Sequence, residues 1–308
     1  MISVIMPVFN EGPYIYDNVC KVKSILDDAH IPHRFCLVDD GSKDNTWAEL
    51  CRLNDDLPNI DAIRLSRNFG KECALCAGLE NAKGDAVVVM DADLQHPPEV
   101  IPEMVRLWQE EGYDVVEGIK SDRGKESFSS KLTALIFYRA FKRTTGMKMT
   151  NASDFKLMNR AALEAWKQLP EYNTFFRGLS AWVGFKRCEL PFKVAPRSGG
   201  ATKWTFGKLM KLALDSITAY TNAPLHIILW IGILMAIAAV ILAIQTLVRF
   251  LFYDAAAGFP TVILLQLFIG SCIMISLSIL GLYVARIYDE VKRRPRYLIS
   301  EKRDDRLP

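Results

Sequence analysis

After about residue 224 the composition of this chain changes, and that change restricts what it can fold into more than any other feature. Leu225–Leu251 and Thr261–Ala285 are near-continuous apolar runs, interrupted by a few polar residues such as Gln245 and Gln266 and almost uncharged before their ends. Each is long enough as a helix to cross a hydrocarbon layer of about 30 Å. Two buried core helices are the alternative, but helices of this length in a soluble core normally keep a polar face. The connector, Phe252–Pro260, is short, so two spans would form an antiparallel hairpin with both flanks on one side. Lys203, Lys208 and Lys211 precede the first run, and Arg286, Lys292, Arg293, Arg294 and Arg296 follow the second. The connector carries Asp254, with Arg249 nearby. The positive-inside rule then puts the N-terminal region and the C-terminus in the cytoplasm.

Residues 1–203 read as one globular domain, 204–224 as an interfacial amphipathic helix, 225–285 as the two spans (about 225–251 and 261–285), and 286–308 as a basic tail. Within Thr205–Tyr220, Phe206, Leu209, Ala213, Ile217 and Tyr220 share one helical face, while Lys208, Lys211 and Asp215 share another. Such a helix beside a span is expected to lie on the bilayer surface, although an ordinary domain helix fits the pattern as well. Lys131–Arg143 carries a weaker version of it. The N-terminal Met1–Pro7 lacks a cationic stretch and a long apolar core, and reads as a strand rather than a signal peptide. Seven cysteines form no framework, and Cys73-x-x-Cys76 has no second pair to complete a zinc site, so reduced thiols are expected. A net charge of +3 is too small to suggest nucleic acid, and the cations near the apolar runs suit anionic lipid headgroups better.

Strand and helix signals alternate through the first half. Strands are expected at Ile2–Pro7, Arg34–Val38, Ala62–Leu65, Ala86–Met90 and Asp114–Glu117, with helices over Pro13–Ala29, from Asp44 as N-cap through Leu53, Lys71–Ala82 and Pro98–Glu111. This is an α/β pattern with a largely parallel sheet and right-handed crossovers. Four strands end in polar clusters: Pro7-Val8-Phe9-Asn10-Glu11, Asp39-Asp40-Gly41-Ser42, Arg67-Asn68-Phe69-Gly70-Lys71, and Asp91-Ala92-Asp93-Leu94-Gln95. Any one of them could be turn chemistry. Together they describe a ligand crevice at the carboxyl ends of an open sheet. Residues i and i+2 of an extended chain share a side, so Asp91 and Asp93 can offer two hard oxygen ligands to Mg²⁺ or Mn²⁺, completed by substrate phosphates. No Gly-x-Gly-x-x-Gly follows a strand and no Gly-Lys-Ser/Thr loop occurs, which argues against a dinucleotide dehydrogenase and a P-loop NTPase.

These segments resemble family-2 inverting glycosyltransferases of GT-A fold, and within them the polyisoprenyl-phosphate group that includes dolichol-phosphate mannose synthases and bactoprenol glucosyltransferases. The resemblance is carried by Val4–Glu11, Val38–Ser42 with Asp44 and Thr46, Ser66–Lys71 and Met90–Gln95 with Pro97-Pro98-Glu99, and it covers about residues 2–205. It implies that Pro7, Phe9, Glu11 and Asp40 line the nucleotide pocket. Asp91 and Asp93, with Gln95 completing the site, would hold the ion on the donor diphosphate, with Asp93 counted among the catalytic residues. Arg67 and Lys71 would meet donor phosphate or shape the pocket, a salt-bridged structural role being nearly as good a fit. His96 could be a ligand or a solvated or capping residue.

Downstream, Gly118–Arg123 resembles the segment whose basic residue meets the acceptor phosphate, which makes Arg123 the candidate. Ser153-Asp154-Phe155-x-Leu157 resembles an element near the reaction centre, Phe175–Leu179 carries Arg177, and Arg197-x-x-Gly200-x-Thr202-Lys203-Trp204 resembles a further basic element with Trp where Tyr is usual. Arg123, Arg177, Arg197 and Lys203 are thus the implied acceptor-phosphate residues, with surface charge an alternative for Arg197 and Lys203. Asp154 is either a base or an orienting group. The implied reaction moves a sugar, by best guess glucose from UDP-glucose, onto undecaprenyl phosphate at the cytoplasmic face of a bacterial inner membrane. It proceeds with inversion, for cell-envelope or lipopolysaccharide modification. GDP-mannose, UDP-N-acetylhexosamine and UDP-formamido-arabinose remain open as donors, and the family includes tetramers. A processive polysaccharide synthase is the near rival, but its Gln-x-x-Arg-Trp motif is absent. An inactive scaffold or lipid-carrier flippase is the distant one, and a pseudoenzyme has no need of the acids at 91 and 93.

Overall fold

The computed structural model describes residues 1–120, 152–169, 171, 176–193, 223–252 and 259–304. The two amphipathic stretches, Lys131–Arg143 and Thr205–Tyr220, lie outside them. The chain divides into two compact units, Met1–Trp204 with Arg294–Pro308, and Thr205–Arg293.

In the first unit strands and helices alternate as β1 (Ile2–Val8), α1 (Gly12–Asp28), β2 (His33–Asp39), α2 (Thr46–Asp56), β3 (Ile60–Leu65), α3 (Lys71–Asn81), β4 (Ala86–Val89), α4 (Ile101–Glu111) and β5 (Val115–Lys120). β6 (Ala152–Asn159), α5 (Arg160–Lys167), α6 (Phe176–Trp182) and β7 (Arg187–Phe192) follow, and β8 (Ile299–Arg303) joins from the far end of the chain. Local chemistry accounts for the boundaries. Pro13 stands in the first turn of α1, where its missing N–H costs nothing, and Gly112 ends α4 in the left-handed region, φ 65°. The predicted N-cap of α2 moves by one residue, to Asn45: Asp44 accepts from the Thr46 N–H and hydroxyl, and the helix begins at Thr46.

The sheet runs β7-β5-β6-β4-β1-β2-β3-β8. β1–β2, β2–β3, β1–β4 and β5–β7 are parallel, whereas β6 is antiparallel to both β4 and β5, and β8 to β3. The sheet is therefore mixed around a parallel core, because β6 and β8 enter after segments that are not βαβ crossovers. β1 is buried on both faces, as expected of a strand between two helix layers. Val4, Met6 and Val8 pack with Ile15, Val19, Val22 and Leu26 of α1 on one face. On the other face Ile5 meets α3, where Gly78 allows contact: a Cβ there would come within 2.4 Å of the Ile5 side chain. Successive strands move outward from β1 to β3, and the chain then returns to place β4 on the other side of β1. That reversal opens a crevice at the carboxyl ends of β1 and β4.

The proposed basic tail at 286–308 is divided in the structure. Its first residues extend a long helix, and Ile299–Arg303 becomes an edge strand of the sheet. In the second unit α7 (Ala223–Phe252) and α8 (Phe259–Val291) are the two apolar helices. Among the described residues Phe268–Val291 is long and apolar enough to cross a membrane, while the corresponding stretch of α7, Ile228–Leu242, is shorter. Leu229, Trp230, Leu234, Phe268, Met274 and Leu277 are all exposed.

Candidate active site

The crevice is bounded on one side by the loops after β1 and β2, which are bonded to each other. Asn10 N–H donates to Ser42 Oγ at 2.9 Å, Glu11 N–H to Thr46 Oγ1 at 3.0 Å and Gly12 N–H to Asp44 Oδ2 at 3.2 Å. Pro7 and Glu11 are half-buried, and Phe9 is 42% exposed. Gly41, at φ 67°, lies so close to the Arg67 backbone that a Cβ would fall 2.4 Å from the Arg67 carbonyl carbon. Asp40 is buried, and both its oxygens are engaged: Phe69 N–H donates to one at 2.7 Å and Gly70 N–H to the other at 2.9 Å. Burial raises its pKa, partly offset by those two donors. Asp40 thus braces the loop before α3 with the carboxylate expected to face a nucleotide. Arg67 is exposed and stacks over Phe69, 4.3 Å from the ring centre.

β4 ends at Val89, and the acids follow in a turn rather than on a pleated strand. Leu94 adopts φ 55°, a conformation costly for a branched side chain. The turn still alternates: Asp91, Asp93 and Gln95 are half-buried, and Ala92, Leu94 and His96 are buried. Asp93 Oδ1 accepts from Gln95 N–H at 3.1 Å. His96 is stacked parallel on Phe155 at 5.2 Å, and its Nδ1 accepts from Asp91 N–H at 3.1 Å. Burial lowers its pKa, so His96 is a neutral backbone cap for the turn.

Four charged residues form one array across the crevice. Lys71 Nζ lies 2.5 Å from Asp91 Oδ1 and 2.7 Å from Asp154 Oδ2. Arg177 grips Asp154 with both arms, Nε to Oδ1 at 2.7 Å and Nη2 to Oδ2 at 3.0 Å. Burial alone would raise the pKa of Asp154, but Lys71 and Arg177 outweigh it and hold the carboxyl well below the usual range. Burial likewise works against the Lys71 ammonium, and Asp91 and Asp154 together keep it protonated. Cations on both sides are what make the buried Asp154 charge tolerable. Four elements supply it: the turn after β4, the start of α3, β6 and α6. Arg123, Arg197 and Lys203 lie outside the described residues.

The structure also brings in groups the sequence reading missed. Glu72, next to Lys71, accepts from Phe176 N–H at 2.8 Å. Lys156, 1% exposed, pairs with Glu117 across β5 and β6 at 2.9 Å and donates to Ser180 Oγ at 2.7 Å. A lysine in the middle of a buried strand was the one signal available.

The donor set fits a divalent ion that a substrate completes. Asp91 Oδ1 is buried and faces the Lys71 ammonium at 2.5 Å, so an ion there would share the carboxylate with that lysine. Asp93 and Gln95 supply further hard oxygens. Among the described residues no group of three His, Cys, Asp or Glu could enclose an ion by itself.

The fold and this crevice define a GT-A-like α/β protein. A glucosyl-3-phosphoglycerate synthase of Mycobacterium tuberculosis, crystallised with Mn²⁺, uridine diphosphate and phosphoglyceric acid, shares the fold with TM-score 0.52 and 20% identity, over 71% of this chain and 76% of that one. The family model for glycosyl transferase family 2 matches residues 3–166. A prophage bactoprenol glucosyl transferase homolog of Escherichia coli K12 is 38% identical over 97% of this chain and 98% of its own. A prophage-derived bactoprenol glucosyl transferase of Shigella flexneri is 37% identical over 97% of each. The chain belongs to glycosyl transferase family 2.

Proposed function

We propose that this glycosyltransferase moves a sugar from a nucleotide donor onto polyprenyl phosphate in a single displacement with inversion, and that the donor is UDP-glucose. The array Asp91–Lys71–Asp154–Arg177 carries the reading, because Lys71 links Asp91, on the donor side, to Asp154, which in turn holds the guanidinium of Arg177. Full-length likeness to bactoprenol glucosyl transferases supports the acceptor.

Asp91, Asp93 and Gln95 would hold Mg²⁺ or Mn²⁺, which as a Lewis acid stabilises the leaving diphosphate. Lys71 keeps the Asp154 carboxylate ionised and, 2.5 Å from Asp91, adds positive charge beside the diphosphate. Phe9, exposed beside Pro7 and Glu11, offers a face for the base, and Asp40 sets the loop that carries Arg67. A phosphomonoester has a second pKa of about 6, so the acceptor oxygen is already anionic near neutrality. It needs positioning, for which Arg177, its Nε and Nη2 fixed on Asp154, supplies a held positive charge, with Arg123, Arg197 and Lys203 as further acceptor contacts. Asp154, ion-paired on both oxygens and with its pKa driven down, suits an orienting role better than that of a base.

The two apolar helices cross the membrane as a hairpin in this reading, with the globular unit and both chain ends in the cytoplasm. A polyprenyl chain stays in lipid, and its phosphate reaches the cytosolic face. Incubating membranes that contain the protein with polyprenyl phosphate and a panel of nucleotide sugars, then weighing the lipid product, tests the donor and the acceptor together. Asp93→Asn, with the fold intact, lowers turnover by about 10²–10³-fold, the loss of several kcal/mol of charge stabilisation. A fully active variant, or a product of retained anomeric configuration, contradicts the reading.

A further inference from the structure

Glu72 has no part in the reaction as derived, yet it bonds directly to the element that carries Arg177. It follows Lys71 at the start of α3, and its Oε2 accepts the Phe176 N–H at 2.8 Å across 104 residues of sequence. On the sheet side, Lys156 Nζ donates to Ser180 Oγ at 2.7 Å, and that hydroxyl donates to the Arg177 carbonyl at 3.1 Å. The Lys156 ammonium also lies 5.6 Å from the centre of the Phe176 ring. Three of the first five residues of α6, Phe176, Arg177 and Ser180, are thus held by polar groups of α3 and β6. A seven-residue helix has too few hydrogen bonds of its own to stay put. The position of its arginine therefore depends on these ties.

We propose that Glu72 is a positioning residue for Arg177. Through the Phe176 N–H it sets where α6 begins, and the Lys156–Ser180 contact holds the same helix from the strand below. The first two residues of α3 then act on opposite sides of the crevice, Lys71 on Asp91 and Glu72 on α6. Burial, followed by the nearby Asp154 charge, pushes Glu72 up to about 7, but the tie needs only an acceptor oxygen, which either protonation state or a glutamine provides. The inference rests on the proposed function, since Arg177 is taken to meet the acceptor phosphate.

The full chain in lipid–detergent micelles, with donor and polyprenyl phosphate varied separately, tests it in wild type, Glu72→Gln, Glu72→Leu and Ser180→Ala. Glu72→Leu raises the KM for polyprenyl phosphate about tenfold or more, as expected when a binding group is misplaced, and leaves the KM for donor within about twofold. Glu72→Gln stays within about threefold of wild type on both, and Ser180→Ala moves in the same direction as the leucine variant by about threefold. An unchanged acceptor KM in folded Glu72→Leu, or in Ser180→Ala where the leucine variant does not fold, overturns the role. So do equal shifts in both KM values, or a glutamine variant as impaired as leucine. A wild type that transfers nothing to polyprenyl phosphate from any donor overturns the functional reading itself, which is a separate result.

Discussion

Asp154 and Glu72 are neighbouring carboxylates with opposite behaviour, and the cause is what each one faces. Asp154, 3% exposed, has a cation on each side, and its low pKa makes its ionised form a source of stability. That contribution is present above the ordinary carboxylate pKa of about 3.9 and is lost as pH falls below it. Asp154→Asn leaves Lys71 and Arg177 short of a partner and destabilises the protein by about 3 kcal/mol at pH 7. Urea midpoints show the loss, and the variant's acid sensitivity below pH ~4 is weaker than that of wild type. Glu72 works the other way. With its folded pKa raised to about 7 by burial, its ionised form is the less favourable one, so its contribution to stability grows as pH falls from above 7 toward the unfolded value. Glu72→Gln is therefore more stable than wild type at pH 8, and the gap closes toward pH 5; melting temperatures across that range test the sign.

At the scale of elements, the sheet and its helices followed from ordinary patterning. The apolar spacing of Ile15, Val19, Val22 and Leu26 predicts a buried helix face, and all four are buried in α1. β8 was not legible, because Ile299–Arg303 is short, charged and at the end of what reads as a tail. It is a strand because β3 presents an unpaired edge, an available template for any extended segment. Its attachment is polar along its length. Ser66 N–H donates to the Leu298 carbonyl at 2.8 Å, Trp47 Nε1 to Glu301 at 3.1 Å, and Arg296 to the Leu169 carbonyl at 2.6 Å. Ser66 leads directly into the Arg67–Gly70 loop that Asp40 braces. Ending the chain after Arg294 removes several backbone hydrogen bonds and destabilises the first unit by on the order of 3 kcal/mol. It also raises the KM for donor, since the loop loses its outer support. Denaturation and donor titration of the shortened chain measure both.

For the molecule as a whole, the apolar helices are what the proposed membrane hairpin rests on. Side chains such as Trp230, Leu234, Phe268 and Met274 are exposed on them, and apolar surface of that extent is stable in lipid rather than water. The hairpin reading predicts that reporters fused to either end of the chain are both protected in sealed inside-in vesicles and both accessible in inverted ones. One end accessible in each preparation would mean a single crossing.

The sequence by itself determined the α/β class, the acid-bearing strand ends, the family and the two apolar runs, because these depend on local periodicity and on short runs of chemistry. That Asp91, Asp93 and Gln95 follow the fourth strand was readable for that reason. Only the tertiary structure decided that Lys71 stands between Asp91 and Asp154, that Asp40 accepts from the Phe69 and Gly70 N–H groups, that His96 caps the turn and that Glu72 reaches α6. Each of these joins groups through space, some of them 83 to 104 residues apart, and neither periodicity nor spacing records which side chains a fold will bring together.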